Sequence, residues 1–225
     1  MPPAASGGLV LLQTLNILEN FDLKESGPNS AKSLHLLSEA MQRAFADRIK
    51  FHGDPDFYDV PIKQMLNKQY SSDRAQTIYD TRTPDGEIFE GDLKQYDESP
   101  DTTHFSIVDS KGNAVSNTYT LGSSFGSGVT IKKGGLLMNN QMRNFSHFYG
   151  QEGAEYGTSK ANRLEPGKRM ISTQTPTLVF DTNGDLMMIL GSPGGGRIPN
   201  VITQVISNVI DHDMSFSEAV MAPRI

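Results

Sequence analysis

Hydrophobic periodicity changes once along this chain, and the place of that change limits the folds open to it. Up to about residue 69 apolar residues recur at helical spacing; from residue 103 they alternate between turn signals, as strands do. Leu34, Leu37, Met41, Ala44, Phe45 and Arg48 fall three and four apart, which predicts a long amphipathic helix from Asn29-Ser30 to about Lys50. Residues 9 to 19 are apolar enough for a buried helix, entered through Ser6-Gly7-Gly8. Residues 52 to 61 read as a loop, 62 to 69 as a short helix opened by Pro61, and 71 to 101 as an exposed polar linker with a turn at Thr83-Pro84-Asp85-Gly86.

Beyond the linker the pattern predicts three hairpins. Residues 103 to 108 and 114 to 120 flank a turn-rich connector, 128 to 131 and 135 to 138 flank Lys132-Lys133-Gly134, and 177 to 180 and 186 to 190 are joined through Asn183-Gly184. A loop from 149 to 160 lies between the second and third. After Gly191-Ser192-Pro193-Gly194-Gly195-Gly196 a helix is expected to bury Ile198, Val201, Ile202, Val205, Ile206, Val209 and Ile210, and a last helix opens at a capping box, Ser215 with Glu218. Helices, then antiparallel strands, then helices predict an α+β layered fold, divided into a mostly helical region 1–101 and a sheet-and-helix region 102–225.

Composition narrows the chemistry. The 20 basic and 26 acidic residues give a formal charge of −6, which argues against nucleic acid as a partner. There is no cysteine, so a nucleophile must be oxygen or nitrogen. His35, His52, His104, His147 and His212 show no metal-ligand spacing, and His52 beside Asp54 and Asp56 reads as loop chemistry; no metal or cofactor is implied. No apolar run approaches the roughly 18 to 20 residues that span a bilayer.

Three stretches could carry chemistry. In Asp101-Thr102-Thr103-His104 a threonine hydroxyl meets the first strand; its own α-amine, with an ordinary pKa of about 8, would serve as its base if the chain were cut before it. Taken alone, the pair is also an ordinary β-branched strand start. The Gly194-Gly195-Gly196 turn before a helix could aim backbone N–H groups at an oxyanion, or be a plain turn; it lacks the endings of a nucleotide-binding loop. Asn139-Asn140-Gln141-Met142-Arg143-Asn144 and Ser172-Thr173-Gln174-Thr175 could fix a zwitterion, or serve turns and caps.

Together, PPAASGG, LNILENFD, ADR, GDPDF, TTHFSIVDSKGNAVSNTYTL, FGSG, LLMNNQM, KRMISTQTPT, GSPGGGRI and APRI resemble the γ-glutamyltranspeptidases, which are N-terminal nucleophile hydrolases. The resemblance implies a four-layer αββα sandwich, incomplete at both ends in this chain. It implies a precursor that cuts itself between Asp101 and Thr102, freeing Thr102 as nucleophile. Thr120 would orient that hydroxyl, Gly194 and Gly195 would supply the oxyanion hole, and Gln141, Asn144, Ser172 and Thr173 would hold the α-amino and α-carboxylate groups of the substrate. The substrates implied are a γ-glutamyl amide donor such as glutathione, with water or an amine as acceptor. The 149–160 loop falls where some members carry a lid.

Two positions depart from the family pattern: Asn144 stands where an Asp usually pairs with the α-ammonium, and Gly122 where an Asn usually helps hold the substrate. Both bear on the acyl group accepted, so a related acylase or amidase with altered specificity is one alternative reading, and an inactive truncated fragment that needs its missing N-terminal part is another. Set against the family, the chain is expected to begin inside the large subunit and stop before the small subunit does. The absent N-terminal large-subunit segment would then be its partner, and the 225 residues alone would expose apolar surface, mature poorly and turn over little substrate. The resemblance suggests a periplasmic or extracellular location.

Overall fold

The computed structural model describes residues 1–84, 86–88, 101–146 and 159–225. Five helices come first: α1 (Gly7–Leu18), α2 (Leu23–Ser26), α3 (Ala31–Phe51), α4 (Ile62–Met65) and α5 (Lys68–Ala75). Three antiparallel ladders follow, β1 (Thr103–Val108) with β2 (Ala114–Tyr119), β3 (Thr130–Ile131) with β4 (Leu136–Leu137), and β5 (Thr177–Phe180) with β6 (Leu186–Leu190). The helices α6 (Ile198–Ile210) and α7 (Phe216–Met221) close the order. The architecture is α+β, and among the described residues the strands pair as three two-stranded ladders.

α1 joins the two apolar cores. Its Leu11 packs with Met188 and Leu190 of β6, with Ile198, Ile202, Val205 and Ile206 of α6, and with Ala219 of α7. Its Ile17 and Leu18 pack with Leu36, Leu37, Ala40 and Met41 of α3 and with Ala75 of α5. Residues on both sides of Asp101 therefore share one interior. The N-terminus of α1 is seated on the 172–175 segment: Ser6 donates to the Ser172 carbonyl from its backbone N–H (2.6 Å) and from its hydroxyl (2.8 Å), and accepts from Arg48 Nε (2.7 Å). Gly7 lies so close that a Cβ would stand 2.2 Å from Thr175 Oγ1 and 2.4 Å from the Thr173 carbonyl, so no other residue fits.

Two expectations need correction. The helix expected over 62–69 is broken after Met65, because Asn67 caps a new helix, its Oδ1 accepting from the N–H groups of Gln69 and Tyr70. The stretch from 71 is not an exposed linker: α5 continues to Ala75, and Ser71, Arg74, Thr83 and Ile88 are buried. Arg43 draws this stretch inward. It donates to Glu39 Oε2 (2.6 Å), to the Thr77 hydroxyl (2.7 Å) and to the Thr77 carbonyl (2.6 Å), while Thr83 donates to Glu39 through its hydroxyl (2.6 Å) and its N–H (3.0 Å). Isolated Thr and Arg residues in a polar stretch give no periodic signal, so the pattern does not reveal them. The 149–160 loop, apart from residues 159 and 160, lies outside the described residues, as do 89–100.

The first hairpin has an inverted character. Its register pairs His104 with Thr118 and Ser106 with Ser116, so these polar residues share the face turned to Leu190, while Phe105, Ile107, Val115 and Tyr119 stand on the other face and are exposed. The second and third hairpins expose Leu136 and Phe180 likewise, as expected for a chain with uncovered apolar surface.

Burial alone would raise the Glu39 pKa, but hydrogen bonds from Thr83 and Arg43 outweigh it and hold the carboxyl below its ordinary value. Removing one member of such a buried pair strands the other, so Glu39→Gln should cost about 3 kcal/mol or more in urea unfolding, against less than 1 for an exposed control such as Glu25→Gln.

Candidate active site

The antiparallel register ends at the pair Thr103 and Tyr119, with Thr102 and Thr120 next to it at the open end of the hairpin. The chain is continuous through residues 101 and 102, and Thr120 Oγ1 donates to the Asp101 carbonyl at 2.8 Å. The same oxygen accepts the Gly122 N–H at 2.9 Å, which turns its own proton toward that carbonyl. Ser124 donates to the Asp101 carboxylate at 2.6 Å. Asp101 is thus held at its carbonyl and at its side chain by one short segment, 120–124.

That segment is itself pinned. Asn140 accepts from Ser123 N–H (3.0 Å) and donates to the Ser123 hydroxyl (2.9 Å). Gly122 has φ +93°, and a Cβ there would stand 2.0 Å from Asn140 Oδ1, so the residue serves the turn and the close approach of Asn140. Next along the chain, Gln141 is buried and donates to the Thr120 carbonyl (3.3 Å). Asn144 donates to Gln141 Oε1 (2.9 Å) and to the Ile171 carbonyl (3.2 Å), and Asn162 bridges the Asn144 carbonyl (2.7 Å) and the Ile171 N–H (3.2 Å). A continuous chain of hydrogen bonds therefore runs from Asp101 through Thr120, Gln141 and Asn144 to Ile171, the neighbour of Ser172 and Thr173. These expected site residues are brought together.

Gly194 and Gly195 lie in the turn between β6 and α6, with φ +129° and +56°, conformations that favour glycine. Their link to the first hairpin runs through the start of the turn: Ser116 of β2 donates to the Leu190 carbonyl (2.9 Å), and the His104 ring rests on Gly191. The motif reading left Ser124, Asn140 and Asn162 unassigned. Ser124 and Asn162 are single polar residues in loops with no periodic signal, and Asn140 belongs to the polar cluster 139–144, in which the motifs give it no role of its own.

The Asp54-Pro55-Asp56 loop, by contrast, anchors the chain just before Ile171 and Ser172. Arg169 donates to Asp54 from its backbone N–H (2.8 Å) and from Nε (2.9 Å), and to Asp56 from Nη2 (2.6 Å). Gly53 packs on the Ala161 carbonyl, where a Cβ would come within 2.2 Å. His52, between these contacts and α3, is buried, and burial pushes its pKa down to about 3, so it is neutral at ordinary pH.

The profile of the family described as Gamma-glutamyltranspeptidase matches residues 1–225. The chain belongs to this family. It is 43% identical to the glutathione hydrolase proenzyme of Escherichia coli (strain K12), an alignment that covers all of this chain and 39% of that protein. It therefore spans well under half the length of such relatives. Among solved structures it is similar to a γ-glutamyltranspeptidase from Pseudomonas nitroreducens complexed with L-DON, with 50% identity and a TM-score of 0.50, over 54% of this chain and 63% of that one. It is also similar to a cephalosporin acylase from Bacillus halodurans, with 28% identity and a TM-score of 0.78 over 100% of this chain and 37% of that one. The α+β fold of the N-terminal nucleophile hydrolases, expected from the motifs, is thereby the fold of this chain.

The Arg169 guanidinium beside Asp54 holds that carboxyl well below the usual carboxylate range, against the opposing effect of burial. A depressed folded-state pKa contributes stability that is present above the unfolded value of about 4 and is lost as pH falls toward the folded value. Asp54→Asn should therefore lower the thermal midpoint at pH 7 and flatten the fall in midpoint below pH 4. A variant with an unchanged acid limb would show that the pair contributes nothing.

Proposed function

We propose that the protein containing this chain is a self-processing acyl hydrolase and transferase whose nucleophile is Thr102. The observation that carries this reading is the Thr120 hydroxyl on the Asp101 carbonyl. When Thr102 Oγ attacks that carbonyl carbon, negative charge gathers on the oxygen that Thr120 already contacts, and a donor aligned in advance lowers the barrier. The N-to-O shift leaves an ester between Asp101 and Thr102 Oγ, and water hydrolyses it, giving a free Asp101 carboxylate and a free Thr102 α-amine. That amine then takes the proton of the Thr102 hydroxyl in each turnover. With the Asp101 carbonyl gone, the Thr120 proton is released to orient the Thr102 oxygen.

In turnover the hydroxyl attacks a γ-glutamyl amide, the amine departs with a proton, and water or an acceptor amine resolves the acyl-enzyme. Gly194 and Gly195 supply N–H groups to the oxyanion, and Gln141, Asn144, Ser172 and Thr173 receive the glutamyl α-groups. The partners are a small γ-glutamyl donor, its acceptor, and the further polypeptide that accounts for the greater length of the relatives. The region before Thr102 stays bound after cleavage, because Ser6 hydrogen-bonds to Ser172 and Leu11 shares a core with the region after it. Sequencing the full-length protein after incubation should reveal a new N-terminus, Thr102-Thr103-His104, which Thr102→Ala abolishes; Thr120→Val should slow its appearance about 10²-fold.

Asn144 favours a second reading, an acylase for side chains without an α-ammonium. Its amide spends its protons on Gln141 Oε1 and the Ile171 carbonyl and carries no charge to pair with an ammonium group. A charge-assisted hydrogen bond is about 1 to 2 kcal/mol stronger than a neutral one, so Asn144→Asp should raise the preference for γ-glutamyl over glutaryl amides about tenfold in kcat/KM. An unchanged ratio would remove residue 144 from acyl-group selection.

A further inference from the structure

The strand that begins beside Thr102 and the turn that holds Gly194 and Gly195 meet at a contact with no slack. A Cβ on Gly191 would stand 2.0 Å from both Nδ1 and Cε1 of His104 and 2.5 Å from Cγ. Gly191 does not have a positive φ, so glycine is needed there for space and not for backbone freedom. The imidazole cannot swing away cheaply. Nδ1 lies 2.8 Å from Thr118 Oγ1 and Nε2 lies 3.0 Å from Ser106 Oγ, so each nitrogen is held by a hydroxyl on the same face of the hairpin. One residue earlier, Ser116 ties β2 to the Leu190 carbonyl at 2.9 Å, fixing the hairpin against the end of β6.

We infer that His104 is a positioning residue, a rigid spacer that sets the separation between the attacking hydroxyl of Thr102 and the oxyanion donors of the Gly194-Gly195 turn. The ring stands two residues after the nucleophile and touches the turn three residues before Gly194. Reaction rates respond steeply to such a separation, because a displacement near 1 Å between reacting groups can cost about 10²-fold. Burial holds the His104 pKa below the ordinary imidazole value, which favours the neutral ring that the two hydroxyls hold. The inference rests on the acyl-transfer reading of Thr102.

The test compares Gly191→Ala, His104→Ala, the double variant and Thr102→Ala in the full-length protein. Two rates are read: the appearance of the Thr102 N-terminus, and kcat and KM for γ-glutamyl-p-nitroanilide per mole of that N-terminus. The Asp101 carbonyl is held by Thr120, so Gly191→Ala should self-cleave within a few-fold of the parent. Its kcat should fall about 10²-fold, with KM little changed, because only the alignment of nucleophile and donors is disturbed. Removing the ring relieves the clash, so the double variant should recover to the activity of His104→Ala alone. If Gly191→Ala fails to self-cleave, the same recovery is expected in the cleavage rate of the double variant.

An unchanged kcat in Gly191→Ala, or a double variant whose loss is the product of the two single losses, overturns the inference. Turnover that persists in Thr102→Ala overturns the acyl-transfer reading and this inference with it. Loss in Thr102→Ala without recovery in the double variant overturns this inference alone.

Discussion

Ser6 places two hydrogen bonds on the Ser172 carbonyl, and the order of the site depends on that contact. It fixes the first turn of α1 against the segment that carries Ser172 and Thr173, while Arg48 of α3 holds the Ser6 hydroxyl from the other side. α1 then carries Leu11 into the core beneath β6 and α6, the two elements that flank the Gly194-Gly195 turn. A buried helix shared by both regions ties the residues before Asp101 to those after it through one interior.

The site assembled on this frame is a network of neutral polar groups. Thr120, Gln141, Asn144 and Asn162 pass hydrogen bonds from the Asp101 carbonyl to the Ile171 backbone, so a shift at one end changes the geometry at the other. Neutral amides and hydroxyls suit a reaction in which charge appears only in the transition state. Of the charged pairs, Glu39 with Arg43 holds the 77–83 stretch to α3, and Asp54 with Arg169 anchors the chain just before Ile171 and Ser172.

Much of this was legible in the sequence because the signals were local. The three hairpins, the helix after the glycine turn and the capping box at Ser215 follow from turn residues and alternation, and the structure holds them near the expected bounds. The grouping of Thr102, Thr120, Gln141 and Asn144 followed from motif order. What stayed hidden was polar and nonlocal. Thr77 and Thr83 turn inward only because Arg43 and Glu39 wait on α3, and no spacing within residues 71–84 records that. Gly191 resembled any other glycine in a rich turn until the His104 ring was seen against it.

The central claim is that Thr102 forms the covalent link to the acyl group. Rapid acid quench of the mature full-length enzyme during turnover of a γ-glutamyl amide, followed by peptide mass analysis, tests it most directly. The account predicts one γ-glutamyl increment on the peptide that begins at Thr102, located on the threonine side chain. A steady-state adduct on any other residue, or a burst of product with Thr102 unmodified, would contradict it.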